Sequence, residues 1–169
     1  MFDSQVDPTR RSMVLTSQII VGALVAGCFF FMLIVLLIGR GDFGSWELAL
    51  NKPLTLVGIV AAFAILSARI VVPGVITAQM LRQLAEREQQ PEWRDLFGVY
   101  QTMLIIKAAM IEGSIFLLLV MHMTEHSRWT LALAVVLLVI LLAHMPTVRR
   151  VDEWIERQTR AIQEQRSMP

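Results

Sequence analysis

The chain has 169 residues, of which 56% are hydrophobic and 17% charged, a balance far more apolar than that of an ordinary soluble domain. Its 15 basic and 14 acidic residues leave a formal net charge of +1, which gives no basis for binding nucleic acid. The single cysteine, Cys28, excludes an intrachain disulfide. These features predict an integral membrane protein.

Four apolar segments follow one another along the chain, each close to the roughly 20 residues that a helix needs to cross a bilayer. They cover about residues 17–38, 54–78, 102–123 and 129–146. We therefore predict an all-α fold in which residues 1–147 form an antiparallel bundle of four transmembrane helices. The apolar core of the first segment is too long for a signal peptide, and Gly39-Arg40 is not a small-x-small cleavage site, so this segment is expected to remain as helix one.

Basic residues are distributed unevenly between the two sides of such a bundle. One side, made of residues 1–16, 79–101 and 147–169, holds Arg10, Arg11, Arg82, Arg87, Arg94, Arg149, Arg150, Arg157, Arg160 and Arg166. The opposite loops hold Arg40, Lys52 and Arg128. The positive-inside rule then places both termini and the central loop in the cytoplasm of a multi-pass inner-membrane protein.

Small residues spaced four apart recur in the first three segments, as in Gly58 with Ala62 and Ala109 with Gly113. This spacing lets helix backbones approach closely in lipid. It fits two arrangements, tight packing within one bundle or association with further helices. The expected partners are accordingly the lipid bilayer together with other copies of the chain or other membrane subunits.

The segment after Pro146, residues 148–169, has a helical stripe of apolar residues. The stripe consists of Val148, Val151, Ile155 and Ile162. It predicts an amphipathic cytoplasmic helix. Such a helix has three possible positions, which are the inner leaflet, a partner helix, and the cytoplasmic end of the bundle itself.

Three ionisable residues lie inside the apolar segments: Arg69, Lys107 and Glu112. A charge at membrane depth costs about 2.5 to 3.5 kcal/mol, so each is expected to find a partner or water. Arg69 is nine residues from the cytoplasmic end of the second segment, and Glu112 is ten from that end of the third. Both would lie about 13 to 15 Å deep. Matched depth and opposite charge predict an Arg69–Glu112 ion pair.

Lys107 is only about 7 to 8 Å from the same end and about 140° around the helix from Glu112, so its side chain is expected to snorkel to the interface. The predicted Arg69–Glu112 pair has two interpretations. It fixes the packing of the helices, or Glu112 exchanges a proton or a small cation.

A wider pattern surrounds Glu112: Pro-Gly-Val at 73–75, Gln79, and Gln-Gln-Pro-Glu at 89–92 before the apolar helix. Residues 73–124 thereby resemble the hairpin of the proteolipid c subunit of F-type and V-type rotary ATP synthases. The resemblance implies that Gln90, Pro91 and Glu92 form the polar cytoplasmic loop, with Arg87 as a displaced loop arginine. It also implies that Glu112 is an ion-binding carboxylate, and hence a role in ion transport.

His122 and His126 are four residues apart near Glu125, a spacing that can present two imidazoles to a metal. The sequence shows no further cluster of ligands, so interfacial histidines are the preferred interpretation. His122 and His144 lie at opposite ends of their segments, which excludes a haem held between them. We find no phosphate-binding glycine loop, nucleophile elbow or Cys-x-x-Cys pair, and therefore expect neither an enzyme nor a cofactor.

Two functions follow from these features. The first is a proton- or cation-binding subunit of a membrane complex, centred on Glu112. The alternative is a structural or assembly subunit that does not transport, in which the Arg69–Glu112 pair fixes helix packing.

Overall fold

Five α-helices make up the structure, a computed structural model that describes residues 8–39, 46, 52–86 and 92–167. They are α1 Pro8–Ile38, α2 Pro53–Ala85, α3 Trp93–Glu125, α4 Arg128–Ala143 and α5 Val148–Ser167. No strand occurs in these residues. The prediction of an all-helical fold is confirmed.

Three of the helices, α1, α2 and α3, are long and apolar enough to cross a membrane. Helix α4 has 16 residues, about 24 Å, and falls short of a hydrocarbon layer of about 30 Å. It meets the same test only together with α5, from which it is bent by 72°. Three to four apolar helices among the described residues therefore indicate a membrane-embedded protein.

Helices α2 and α3 are longer than the apolar segments that predicted them. Each has 33 residues, about 50 Å, and both continue toward residues 87–91, which separate them in the chain. The added turns stay helical because they carry core residues: Leu84 of α2 and Leu96 and Phe97 of α3 are buried in one cluster. These contacts favour the helix beyond the predicted membrane boundary.

Helix α3 occupies the centre of the fold and contacts each of the other four helices. Its residues Ile111, Ile115 and Leu118 are buried in the same cluster as Cys28 of α1 and Leu141 of α4. This arrangement makes α3 the helix on which the positions of the others depend.

Helices α2 and α3 are in close contact at Gly58. A Cβ atom at this position would lie 2.6 Å from Cγ of Met121. Ala62, one turn further along α2, is also buried. Ala109 and Gly113 of α3 are exposed, and no heavy atom lies within 4 Å of the Cβ position of Gly113. The two small-residue pairs thus differ, since one packs inside the fold and the other faces outward.

Helix α5 folds back over one end of the helices. Val151, Ile155 and Ile162 are buried in a cluster with Phe97 and Tyr100 of α3. The opposite face is exposed and carries Arg149, Glu153 and Arg157, with Arg149 Nε 2.7 Å from Glu153 Oε1. Of the three positions considered for this segment, the structure supports packing of α5 against the end of the other helices.

Candidate functional site

Arg69 projects from α2 toward the end of α4, where its Nη2 atom donates to Nε2 of His144. The other ring nitrogen of His144, Nδ1, lies 2.6 Å from the carbonyl oxygen of Ile140. A carbonyl can only accept, so Nδ1 carries the proton and Nε2 offers its lone pair to the guanidinium. The histidine therefore holds Arg69 in place as a neutral imidazole.

Lys107 lies on the face of α3 that packs against α2, because it is 14 residues, about 40° of rotation, from Met121, which contacts Gly58. The same register sets Arg69 level with residue 110, about one turn from Lys107. Among the described residues, no carboxylate forms an ion pair with either side chain. Arg69, Lys107 and His144 thus form a group with two positive charges where α2, α3 and α4 meet. We call this group the basic cluster.

Glu112 lies on a different face of α3, against α1. Its Oε1 atom is 3.8 Å from the position that a Cβ would take at Gly27, and its charge acts on the buried thiol of Cys28. One turn further along α3, the ring of Phe116 packs edge-on against Phe31 of α1 at a centroid distance of 5.0 Å. The partner of the Glu112 face is therefore α1.

The predicted Arg69–Glu112 ion pair is absent, although both residues belong to the described part of the chain. The depth inferred from the sequence does not explain the absence of the ion pair. Gly58 lies against Met121, and this antiparallel register sets Arg69 level with residues 110 and 111. The rotation is the reason, because Lys107 is on the side of α3 that faces Arg69 and Glu112 is about 140° away. Arg69 and Glu112 lie at the same depth, but Glu112 is on a face of α3 that does not meet Arg69.

Glu112 lies at the boundary between the buried face and the exposed face of α3. Ile111 and Ile115 beside it are buried, Glu112 is partly buried, and Ala109 and Gly113 on its other side are exposed. Its carboxylate is about 20 Å from the Glu125 end of the helix. Burying an ionised carboxylate in apolar surroundings without a partner is costly.

The loop motif is only partly described, since Gln90 and Pro91 lie outside the described residues, as does Arg87. Glu92 is described and is the N-cap residue of α3. Its backbone N–H donates to Oδ2 of Asp95 at 3.1 Å, a contact typical of a capping box. Glu92 therefore has a structural role, which is to cap the N-terminus of α3.

His122 and His126 lie at the turn between α3 and α4. The ring centroids are 6.2 Å apart, and the described residues contain no group of three His, Cys, Asp or Glu side chains that could hold a metal. His122 is buried, with Nδ1 2.9 Å from the carbonyl oxygen of Ser127, so this nitrogen donates. His126 ends α3 in the left-handed conformation, with φ 46°. Both histidines serve the α3–α4 turn.

Sequence reasoning missed the role of Glu125. Its carboxylate accepts from the backbone N–H groups of Leu54 at 3.0 Å and Thr55 at 2.6 Å, at the N-terminus of α2. Lys52 Nζ in turn donates to the carbonyl oxygen of Glu125 at 2.8 Å. A carboxylate here satisfies N–H groups that the first helical turn leaves without partners. The contact joins residues 70 and 71 positions apart, so no local spacing predicts it.

The local geometry predicts the outcome of a double-mutant cycle. We expect Arg69→Gln and Glu112→Gln to be additive within about 0.5 kcal/mol, because the two groups share no contact. Arg69→Gln combined with His144→Ala is expected to depart from additivity by more than that. Unfolding in detergent, followed through tryptophan fluorescence, gives the free energies. A coupling of 3 kcal/mol or more between Arg69 and Glu112, about the cost of breaking a buried ion pair, would contradict the structure.

Comparisons with known proteins give no relative for this chain. No family model matches the sequence, and neither a curated protein nor a solved structure is significantly similar to it. The functional inference therefore rests on the residues of this chain and their geometry.

Proposed function

We propose that this is a four-span membrane protein whose Glu112 binds and releases a proton as part of a larger membrane complex. The observation that carries the proposal is the position of the Glu112 carboxylate against Gly27, with no ion-pair partner among the described residues. A fixed cation beside the carboxylate would hold it ionised. Arg69 is engaged by His144 instead, so it does not prevent Glu112 from taking up a proton.

The number of possible ligands favours a proton over a metal cation. Calcium takes six to eight oxygen ligands, whereas the described residues contain no group of three His, Cys, Asp or Glu side chains that could hold a metal, around Glu112 or elsewhere. A proton needs only the one carboxyl group. The resemblance to the c-subunit hairpin supports the same function, because there too a single carboxylate on the second helix of a hairpin is the exchanging group.

The proposed orientation has both termini in the cytoplasm. Trp46 and Trp129 contact each other at one end, with ring centroids 5.2 Å apart, and both are exposed, as expected for aromatic residues at a membrane interface. The arginine-rich helix α5 lies at the other end, which the positive-inside rule assigns to the cytoplasm. In this proposed arrangement α4 is a short fourth span that the bilayer accommodates by local thinning, and α5 lies outside the hydrocarbon.

The experiment is labelling with dicyclohexylcarbodiimide, which attacks protonated carboxyl groups in apolar surroundings, read by mass spectrometry across a pH series. We expect labelling at Glu112 that rises as the pH falls and disappears in Glu112→Gln. Glu125, held by two backbone N–H groups, is the internal control and should remain unlabelled. Blocking by sodium would change the assignment to a cation site. No labelling of Glu112 at any pH, in protein shown to be folded, would overturn the proposal.

An assembly subunit is the second candidate function, and one observation favours it. Ala109 and Gly113 are exposed beside Glu112 and leave the surface open for a further helix. Cysteines introduced at both positions would test this. Cross-links between copies, or to another membrane protein, together with an unlabelled Glu112, would favour assembly over proton exchange.

A further inference from the structure

The basic cluster of Arg69, Lys107 and His144 lies at the end of α4 from which the chain turns into α5. Helix α4 ends at Ala143, and His144 is its C-cap residue, about 24 Å along the axis from the start of the helix near Trp129. The chain then bends by 72° into α5. Hydrocarbon of about 30 Å measured from the Trp129 end would stop about one helical turn beyond His144, a distance that the long side chains of Arg69 and Lys107 can span toward the headgroups.

Apolar residues next to Arg69 on α2 are exposed, as expected for a helix face in contact with lipid. Ile70 is 80% exposed and Val71 is 63% exposed, directly after Arg69 in the chain. Arg69, Lys107 and His144 are themselves only partly buried. The cluster is therefore open at the side from which a lipid headgroup would approach.

The charge of the cluster is not balanced within the described residues. Arg69 and Lys107 are both basic, and neither has a carboxylate partner there. His144 engages one N–H of the guanidinium, while an arginine has five N–H donors and a lysine three. Several charged donors thus remain for an anion, and the histidine fixes the orientation of the arginine.

We propose that Arg69 and Lys107 bind a phosphate group at this cluster, that of an anionic phospholipid in the leaflet on the α5 side or of free phosphate. Phosphate fits because it carries negative charge on several acceptor oxygens, and arginine and lysine are its usual protein ligands. Basic groups between transmembrane helices near a headgroup layer are a known means of binding lipid phosphate. The proposal does not depend on proton exchange at Glu112, which lies on another face of α3.

The test is native mass spectrometry of the full chain in mild detergent, titrated with phosphatidylglycerol or phosphatidylcholine. We expect the protein to prefer phosphatidylglycerol. Arg69→Gln or Lys107→Gln should each weaken its binding about fivefold, and the double variant about thirtyfold. The matched control is Arg94→Gln, which removes one exposed positive charge from α3 outside the cluster and should change binding less than twofold.

Two further binding measurements complete the test. The charge-conserving double variant Arg69→Lys with Lys107→Arg should bind within a fewfold of the native chain, which separates loss of charge from misfolding. Competition by millimolar inorganic phosphate would identify free phosphate as the ligand, and its failure to compete would identify the lipid. Equal binding of phosphatidylglycerol to the native chain and to Arg69→Gln/Lys107→Gln, with no phosphate binding to either, would overturn the proposal. Loss of binding in the charge-conserving variant would overturn it as well.

Discussion

Replacing Gly58 by leucine is expected to disrupt the packing of α2 against α3. Even the first side-chain carbon would lie 2.6 Å from Cγ and 3.4 Å from Cβ of Met121, atoms too near the backbone to move aside freely. Overpacking of this kind costs about 1 to 3 kcal/mol. Unfolding in detergent would show the loss, and a disulfide cross-link engineered between α2 and α3 should form more slowly.

Gly74 provides the matched control for Gly58. It lies in the same helix, and no atom is within 4 Å of its Cβ position, so Gly74→Leu changes helix propensity without a clash. Adding Met121→Ala to Gly58→Leu should recover part of the lost stability, since it removes the atoms in conflict. If Gly58→Leu were as stable as Gly74→Leu, the close contact between α2 and α3 would be wrong.

Replacing Val151 by aspartate is expected to detach α5 from the end of the bundle. Val151 is fully buried in the cluster that contains Phe97 and Tyr100, and an aspartate there would place a carboxylate among apolar groups. The lost burial of valine and the desolvated charge together cost about 3 kcal/mol. Hydrogen exchange should therefore become faster across residues 148–164 and stay unchanged across 128–143.

Arg157 offers the control on the same helix. Its side chain is exposed and bonds only to the backbone carbonyl of Glu153 among the described residues, so Arg157→Asp reverses a charge without touching the buried face. We expect α5 in this variant to exchange as slowly as in the native chain. Equal protection in Val151→Asp would show that α5 is not docked through its apolar stripe.

The lengths of the apolar segments predicted the helices well but located the ends of the helices less accurately. Residues 54–78 were predicted as a span, and α2 continues to Ala85 because Leu84 finds a buried site that its hydropathy alone does not reveal. The fourth segment was predicted to reach residue 146, and α4 stops at Ala143. Pro146 has no N–H to donate and restricts the residue before it, so the helix ends before the apolar composition does.

The candidate site shows which part of a membrane protein a single sequence leaves undetermined. Counting residues placed Arg69 and Glu112 at one level, and helix periodicity separated Lys107 from Glu112 by about 140°. Neither says which neighbour each face of α3 meets. That depends on where α1, α2 and α4 lie around α3, which is a property of the whole bundle. The His144 partner of Arg69 could not be deduced for the same reason.

The central position of α3 has a consequence for how the protein is made. Among the described residues, α1 and α2 each pack against α3 but have no extensive contact with each other. When the ribosome has delivered only the first two helices to the membrane, neither has its main partner. Both must wait as separate helices in the lipid until α3 is released, carrying Lys107 and Glu112 with it. Biogenesis of this protein is thus expected to include a stage in which inserted helices depend on the translocon, or on a membrane chaperone, to avoid association with other proteins.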